Sequence, residues 1–313
     1  MLRAVRSIKN TFAPINQVPP EVFSLIPDHC GMDEELIKLT HVCRAWREIL
    51  ISRASLWTSL DCKNLDKTGV SIQRSRGSPL EVSFAACGPT RLPKDTFLLV
   101  LRHVNQLKAL TLYGTSYNIP EIADFSSPAP LLKKLDIRVL TLDTATLKST
   151  IFGGNLSSLR ELRLWGVLTS LPWRNMSNLT TLDFQMGFGN ISTTRLLDFF
   201  EHAPLLRDIK LIDSLPDYSN APAERLVSLL HLTSLNISDE PVHSILLNHI
   251  LVPAGASVTL EFGFDGEIFP IIDYLPRSLD NVKNISRVTS INLAFDLGVA
   301  IRVNGPSGSL CDR

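Results

Sequence analysis

A six-residue pattern, aliphatic-x-x-aliphatic-x-aliphatic, returns throughout this chain and limits what it can fold into. It occurs at Leu107-Leu110-Leu112, Leu132-Leu135-Ile137, Leu159-Leu162-Leu164, Leu179-Leu182-Phe184, Leu206-Ile209-Leu211 and Leu232-Leu235-Ile237. Weaker copies stand at Trp57-Leu60-Cys62, Pro79-Val82-Phe84, Ser257-Leu260-Phe262 and Val288-Ile291-Leu293, and successive copies start 20 to 31 residues apart. A unit of that length cannot bury its own apolar side, so like units must stack on one another. Alternation at the second and third aliphatics predicts a short strand with one face in the core. The opposite face then carries Ala109, Thr111 and Tyr113, next Lys134, Asp136 and Arg138, and next Glu161, Arg163 and Trp165. It continues with Thr181, Asp183, Gln185, Asp208, Lys210, Ile212, Ser234, Asn236 and Ser238.

The stretches between strands supply the second layer. Phe97, Leu101 and Val104 lie at helical spacing within 95–105, and 193–202 and 222–231 show similar stripes. Pro130 and Pro204 stop such segments before the next extended run. This arrangement resembles the leucine-rich repeat. The resemblance implies an α/β solenoid, a horseshoe with a parallel sheet on its concave side, over residues 56–300. The usual pattern places Asn or Cys three positions after the third aliphatic, where this chain has Thr115, Leu140, Val167, Gly187, Ser214 and Glu240. No asparagine ladder can form there, so the turns must satisfy their backbone otherwise and the horseshoe should be irregular. A doubly wound α/β sheet is the competing architecture, but it calls for near-continuous apolar strands. Here LKKLDIR and LRELRLW alternate.

A different segment precedes the strands. Pro19 and Pro20 suit the first turn of a helix, Glu21 complements its dipole, and Val22, Phe23 and Ile26 fall on one side before Pro27 ends it. Asp33, Glu34 and Glu35 open a second stripe of Leu36, Leu39, Val42, Cys43, Trp46, Ile49 and Leu50. Forty residues of this kind bury too little to stand alone. In the order Val18, Pro19, Glu21, Val22, Ile26, Leu36, Leu39, Val42, Cys43, Arg44, Trp46, Arg47, Glu48 the segment resembles the F-box. That resemblance implies three helices over 14–55, with a bend near residues 40–42, docking a Skp-type adaptor and through it cullin and a RING subunit. The residues expected to meet the adaptor are Val18, Pro19, Val22, Phe23, Ile26, Leu36, Leu39 and Val42, with Trp46 as core support. Residues 27–31 depart from the family pattern, which shortens the first helix and lengthens the loop after it.

Composition removes other classes. Of 313 residues, 31 are Lys or Arg and 31 are Asp or Glu, so no net field draws the chain to nucleic acid. No 18-residue apolar run is present to span a membrane, and the basic start, 1–13, lacks the apolar block of a secretory signal and reads as a disordered leader. Residues 301–313 read as a disordered tail. Cys30, Cys43, Cys62, Cys87 and Cys311 are odd in number and scattered, as in a reducing compartment, and their spacing with His29 and His41 fits no zinc site. Six Asn-x-Ser/Thr triplets, beginning at Asn155, Asn175, Asn178, Asn190, Asn236 and Asn284, would matter only in a secreted chain. No phosphate-binding glycine loop, metalloprotease helix or nucleophile elbow occurs; Gly153-Gly154 and Gly187-Phe188-Gly189 read as turns. The expectation is a protein without catalytic residues, metal or cofactor, in the cytoplasm or nucleus.

The resulting expectation is a substrate receptor of an SCF-type ubiquitin ligase, with a repeat scaffold uncoupled from ubiquitination as the alternative. An exposed indole beside arginines is what interface hot spots use, so Tyr113, Arg138, Arg163 and Trp165 are the expected contacts with a protein substrate.

Overall fold

In the computed structural model, residues 12–23, 26, 33–85, 93–115, 125–139, 145–148, 150–169, 175–185, 192–212, 225–238, 246–263, 291–295 and 298–303 are described. The chain divides into two compact units, Met1–Ser83 with Pro93–Arg102, and Phe84–Leu92 with His103–Arg313.

The first unit opens with helices α1 (Pro20–Phe23), α2 (Asp33–Thr40) and α3 (Arg44–Ser52). The break between α2 and α3 has a visible cause. Arg47 Nε donates to the Thr40 carbonyl at 2.9 Å, occupying an acceptor that a continuing helix would have used. Leu36, Leu50 and Trp57 form the buried centre, against which Val18, Ile26, Leu39, Trp46, Ile49, Ile51 and Leu56 pack. The Trp57 indole N–H donates to the Leu50 carbonyl at 2.9 Å, and the Arg74 guanidinium lies 4.3 Å from its ring centroid. Strand β1 (Ser59–Asp61) pairs in parallel with β2 (Leu80–Ala85), matching Leu60 to Val82. Helices α4 (Leu65–Ser75) and α5 (Lys94–Leu101) complete the unit. Asn64 caps α4 by accepting from the Lys67 amide at 3.0 Å.

The second unit is built on a large, mostly parallel sheet. Its strands are β3 (Leu107–Gly114), β4 (Lys134–Val139), β6 (Glu161–Trp165), β8 (Thr181–Gln185), β9 (Asp208–Ile212), β11 (Ser234–Ser238) and β13 (Ser257–Gly263), neighbours in chain order. A doubly wound sheet reverses its order at a switch point; this one does not from β3 to β13. The pairings keep one register, so Leu110, Leu135, Leu162, Leu182, Ile209, Leu235 and Val258 form one row. The next apolar row is Leu112, Ile137, Leu164, Phe184, Leu211, Ile237 and Leu260. Both rows are buried, as are the first aliphatics Leu107, Leu132, Leu159, Leu179, Leu206 and Leu232.

The other side of that core is made of short pieces. Strands β5 (Ala145–Leu147) and β7 (Val167–Thr169) pair in parallel, as do β10 (Val227–Ser228) and β12 (Ile250–Leu251), and helix α6 spans Thr193–His202 as its apolar stripe predicts. Residues 222–231 were expected to be helical, and here the structure differs. Val227 and Leu229 are buried while Leu226, Ser228 and Leu230 are exposed, a period of two, and the Val227 amide bonds the His249 carbonyl at 2.8 Å. A neighbouring strand supplied the partner that the isolated stripe could not reveal.

Two further differences lie at the last strands. The copy at Val288-Ile291-Leu293 forms β14 (Ile291–Phe295), but β14 pairs antiparallel with β15 (Gly298–Val303), which pairs antiparallel with β13. Alternation specifies which face is buried and leaves strand direction open. Residues 301–303, expected in a disordered tail, thus belong to β15. Residues 1–11, 27–31 and 304–313 lie outside the described residues.

Side-chain hydrogen bonds to backbone carbonyls recur just before the strands. Ser158 Oγ donates to the Pro130 carbonyl at 2.6 Å, Asn178 Nδ2 to Ser157 at 2.7 Å, Thr180 Oγ1 to Arg160 at 3.0 Å and Thr233 Oγ1 to Arg207 at 3.0 Å. Each bond joins the approaches to two neighbouring strands of the second unit.

Candidate functional site

The polar face of the sheet holds the residues expected there, in three register rows. The middle row reads Thr111, Asp136, Arg163, Asp183, Lys210, Asn236 across six strands. Neighbouring strands lie about 4.8 Å apart, so four charges of alternating sign stand side by side. The row beside it reads Tyr113, Arg138, Trp165, Gln185, Ile212, Ser238. The two rows enclose a depression of about 180 Å³ lined by Asp136, Arg138, Arg163, Leu164, Trp165, Asp183, Gln185 and Lys210. Three of the four expected contact residues therefore meet in one place. Tyr113 is in register with Arg138, one strand away, and does not line it.

The groups in the depression are unequally satisfied. Asp136 is only 4% exposed although it sits on the outward face, because Arg138 clamps both its oxygens, Nε to Oδ1 at 2.9 Å and Nη2 to Oδ2 at 3.0 Å. That hydrogen bond raises the already high pKa of Arg138, with desolvation opposing it. Asp183 Oδ1 accepts from Gln185 Nε2 at 3.0 Å. Arg163 is poorly held. Its Nη2 is 3.6 Å from Glu161 Oε2, and its Nε is buried with no acceptor. Lys210 pairs with no carboxylate among the described residues. Trp165 keeps 37% of its surface exposed.

Sequence reasoning placed Asp136, Asp183, Gln185 and Lys210 on this face but did not single them out. Their signal was position alone, since polar residues at alternating positions recur in every unit; strand register decides which of them converge.

The first unit presents a second candidate surface. Val22 and Val42 are 52% and 57% exposed and Pro19 is exposed, whereas Val18, Ile26 and Leu39 are half-buried against the local core. Leu36 was expected to face the adaptor; it is buried at the centre of that core, because the turn of α2 aims it at Leu50 and Trp57. Trp46 packs against the same centre. The side chain of Phe23 lies outside the described residues. Val22 on α1 and Val42 in the turn between α2 and α3, exposed around a small core, form a surface that a partner could cover.

Residues 15–63 match the F-box-like family. The matched segment runs from the turn before α1 through β1, so it takes in the whole Leu36-Leu50-Trp57 core and extends beyond the helices expected over 14–55. No curated protein sequence matches the chain. Among the described residues, no cluster of His, Cys, Asp or Glu could hold a metal ion and no helix is long and apolar enough to cross a membrane.

Proposed function

We propose that this protein is a non-catalytic substrate-recognition subunit of an SCF-type cullin-RING ubiquitin ligase. The F-box-like match at residues 15–63 carries the reading. On it, Pro19, Val22 and Val42, with the partly covered Val18, Ile26 and Leu39, bind a Skp-type adaptor, which brings cullin and the RING subunit. The sheet of the second unit is read as a divergent leucine-rich-repeat horseshoe, and its polar face as the concave surface that selects a protein target. The chain-order parallel strands and the three-position apolar code support that architecture. The mechanism is tethering: one chain holding both partners raises the target's effective concentration beside the ubiquitin-loaded enzyme. The cytoplasm and nucleus, where such machinery acts, are the compartments this reading implies.

Capture of a purified Skp-type adaptor by the full chain tests it. Val22→Asp with Val42→Asp should reduce capture at least tenfold. Both side chains are more than half exposed, so the melting temperature should stay unchanged. Failure of the unaltered chain to bind the adaptor, or equal capture by the double variant, would leave an interaction scaffold uncoupled from ubiquitination as the better reading.

A further inference from the structure

The depression on the polar face has a charge arrangement that narrows what it accepts. Asp136 and Arg138 neutralise each other through two hydrogen bonds. Three charges remain along the middle row, Arg163, Asp183 and Lys210, in neighbouring register positions. Of these, Arg163 has a sealed Nε without an acceptor and only a 3.6 Å contact to Glu161, and Lys210 is in no ion pair among the described residues. Asp183, by contrast, already accepts from Gln185. A buried N–H without an acceptor is unfavourable, and a partner oxygen that draws the guanidinium round would relieve it. The unmet demand is therefore for an acceptor, and it is anionic.

The size of that charge is limited by what stands between the cations. Glu161 is shared by Arg163 and Lys134, 3.7 Å from the latter, and does not line the depression, so among the lining groups the two cations around Asp183 leave a surplus of a single positive charge, which suits a monoanion. A dianionic phosphate would exceed that surplus beside the Asp183 carboxylate and gain less. The planar fork of Arg163 suits a carboxylate. Trp165, in the next row and 37% exposed, offers an indole wall beside it. About 180 Å³ admits one side chain rather than a folded surface. The row continues past the depression in both directions, to Tyr113 and to Ile212, so the bound chain has no need to end there.

Resting on the reading of this face as the target-binding surface, we infer that it recognises an unphosphorylated acidic side chain, Asp or Glu, within an extended peptide, held between Arg163 and Lys210 against Trp165. The carboxylate takes the acceptor role that the Arg163 Nε and Lys210 lack, and an apolar neighbour in the peptide covers the indole.

Selection of random twelve-residue peptides on the full chain, displayed with internal sequences and with free C termini, tests this. The expected product is a set of peptides sharing one internal Asp or Glu next to an apolar residue. For a synthetic peptide from that set, Glu→Gln should weaken binding at least tenfold, as should Arg163→Gln or Trp165→Ala in the protein. Lys210→Glu should reverse the preference, so that the same peptide with Lys in place of Glu now binds better. Circular dichroism melts of each variant verify the fold. Peptides lacking an acid, a requirement for a terminal carboxylate, binding only when a phosphoserine replaces the acid, failure to enrich any sequence, or an unchanged preference in Lys210→Glu would each overturn the inference. Adaptor capture is scored on the same preparations. Acidic selection without adaptor binding would remove the ligase assignment and keep this site; adaptor binding without acidic selection would do the reverse.

Discussion

Gly166 closes β6 immediately after Trp165, with φ at +64° and its amide donating to the Gln185 carbonyl at 2.8 Å. A Cβ at this position would stand 3.1 Å from the Val139 carbonyl oxygen and 3.2 Å from the Val139 Cβ. Gly153 shares the left-handed backbone, φ +67°, but a Cβ there would meet mainly the Pro128 ring at 3.3 Å, which can shift. Gly166→Ala should therefore cost about 2–3 kcal/mol and Gly153→Ala about 1–2, because only the first adds a backbone collision to the left-handed strain. Urea unfolding of both variants checks the order, and equal losses would refute it. The Asp136–Arg138 pair makes a second case. Arg138→Met strands a carboxylate that is 4% exposed, which should cost about 1–3 kcal/mol, at the lower end if water reaches the site. Adding Asp136→Asn to it should recover most of the loss, whereas additive losses would mean the pair is not a unit.

Among elements, α6 is tied to β10 by one side chain. Arg225 reaches Asp198 Oδ1 at 2.6 Å, Glu201 Oε2 at 2.8 Å and, more weakly, the Thr194 carbonyl at 3.4 Å. Its pKa is raised, first by the hydrogen bond to Glu201 and then by that to Asp198, so it stays charged at any pH at which the protein folds. Both carboxylates are close to half exposed, and screening limits the gain. Arg225→Ala should lower stability by about 1 kcal/mol, and Arg225→Lys should not restore it, since an ammonium cannot span two carboxylates with a planar fork. A double-mutant cycle with Asp198→Asn measured in low and high salt checks this, a salt-insensitive loss pointing to packing instead. Turn bonds act at the same scale. Asn178→Ala removes one exposed bond to Ser157 and should cost about 0.5–1 kcal/mol by thermal denaturation.

For the whole molecule, the two candidate surfaces belong to different compact units, and substitutions that share no partners add. Val22→Asp with Val42→Asp should reduce adaptor capture at least tenfold while leaving peptide affinity within about twofold, and Lys210→Glu should change peptide binding while leaving adaptor capture within about twofold; cross-talk between the two assays would show coupling. Much of this plan was legible in the residues. The three-position aliphatic code named every strand from β3 to β13 in the sheet and every row of its core, because period-two burial is written in residue type. Helix α6 was readable from spacing for the same reason, whereas the α2–α3 break came only from the F-box resemblance, since the apolar stripe keeps one period from Leu36 to Leu50. Direction, partner choice and convergence were not. A stripe at 222–231 became β10 because β12 lay beside it, β14 turned antiparallel because β15 returned along β13, and Leu36 turned inward because Leu50 and Trp57 filled the space it faced. The polar face shows the division most clearly. Its residues were determined by the sequence, and the Asp136–Arg138 clamp is local to β4, but only the register of β4, β6, β8 and β9, set by interstrand hydrogen bonds between residues far apart in the chain, brought Arg163 and Lys210 to either side of Asp183 and left both in want of an acceptor.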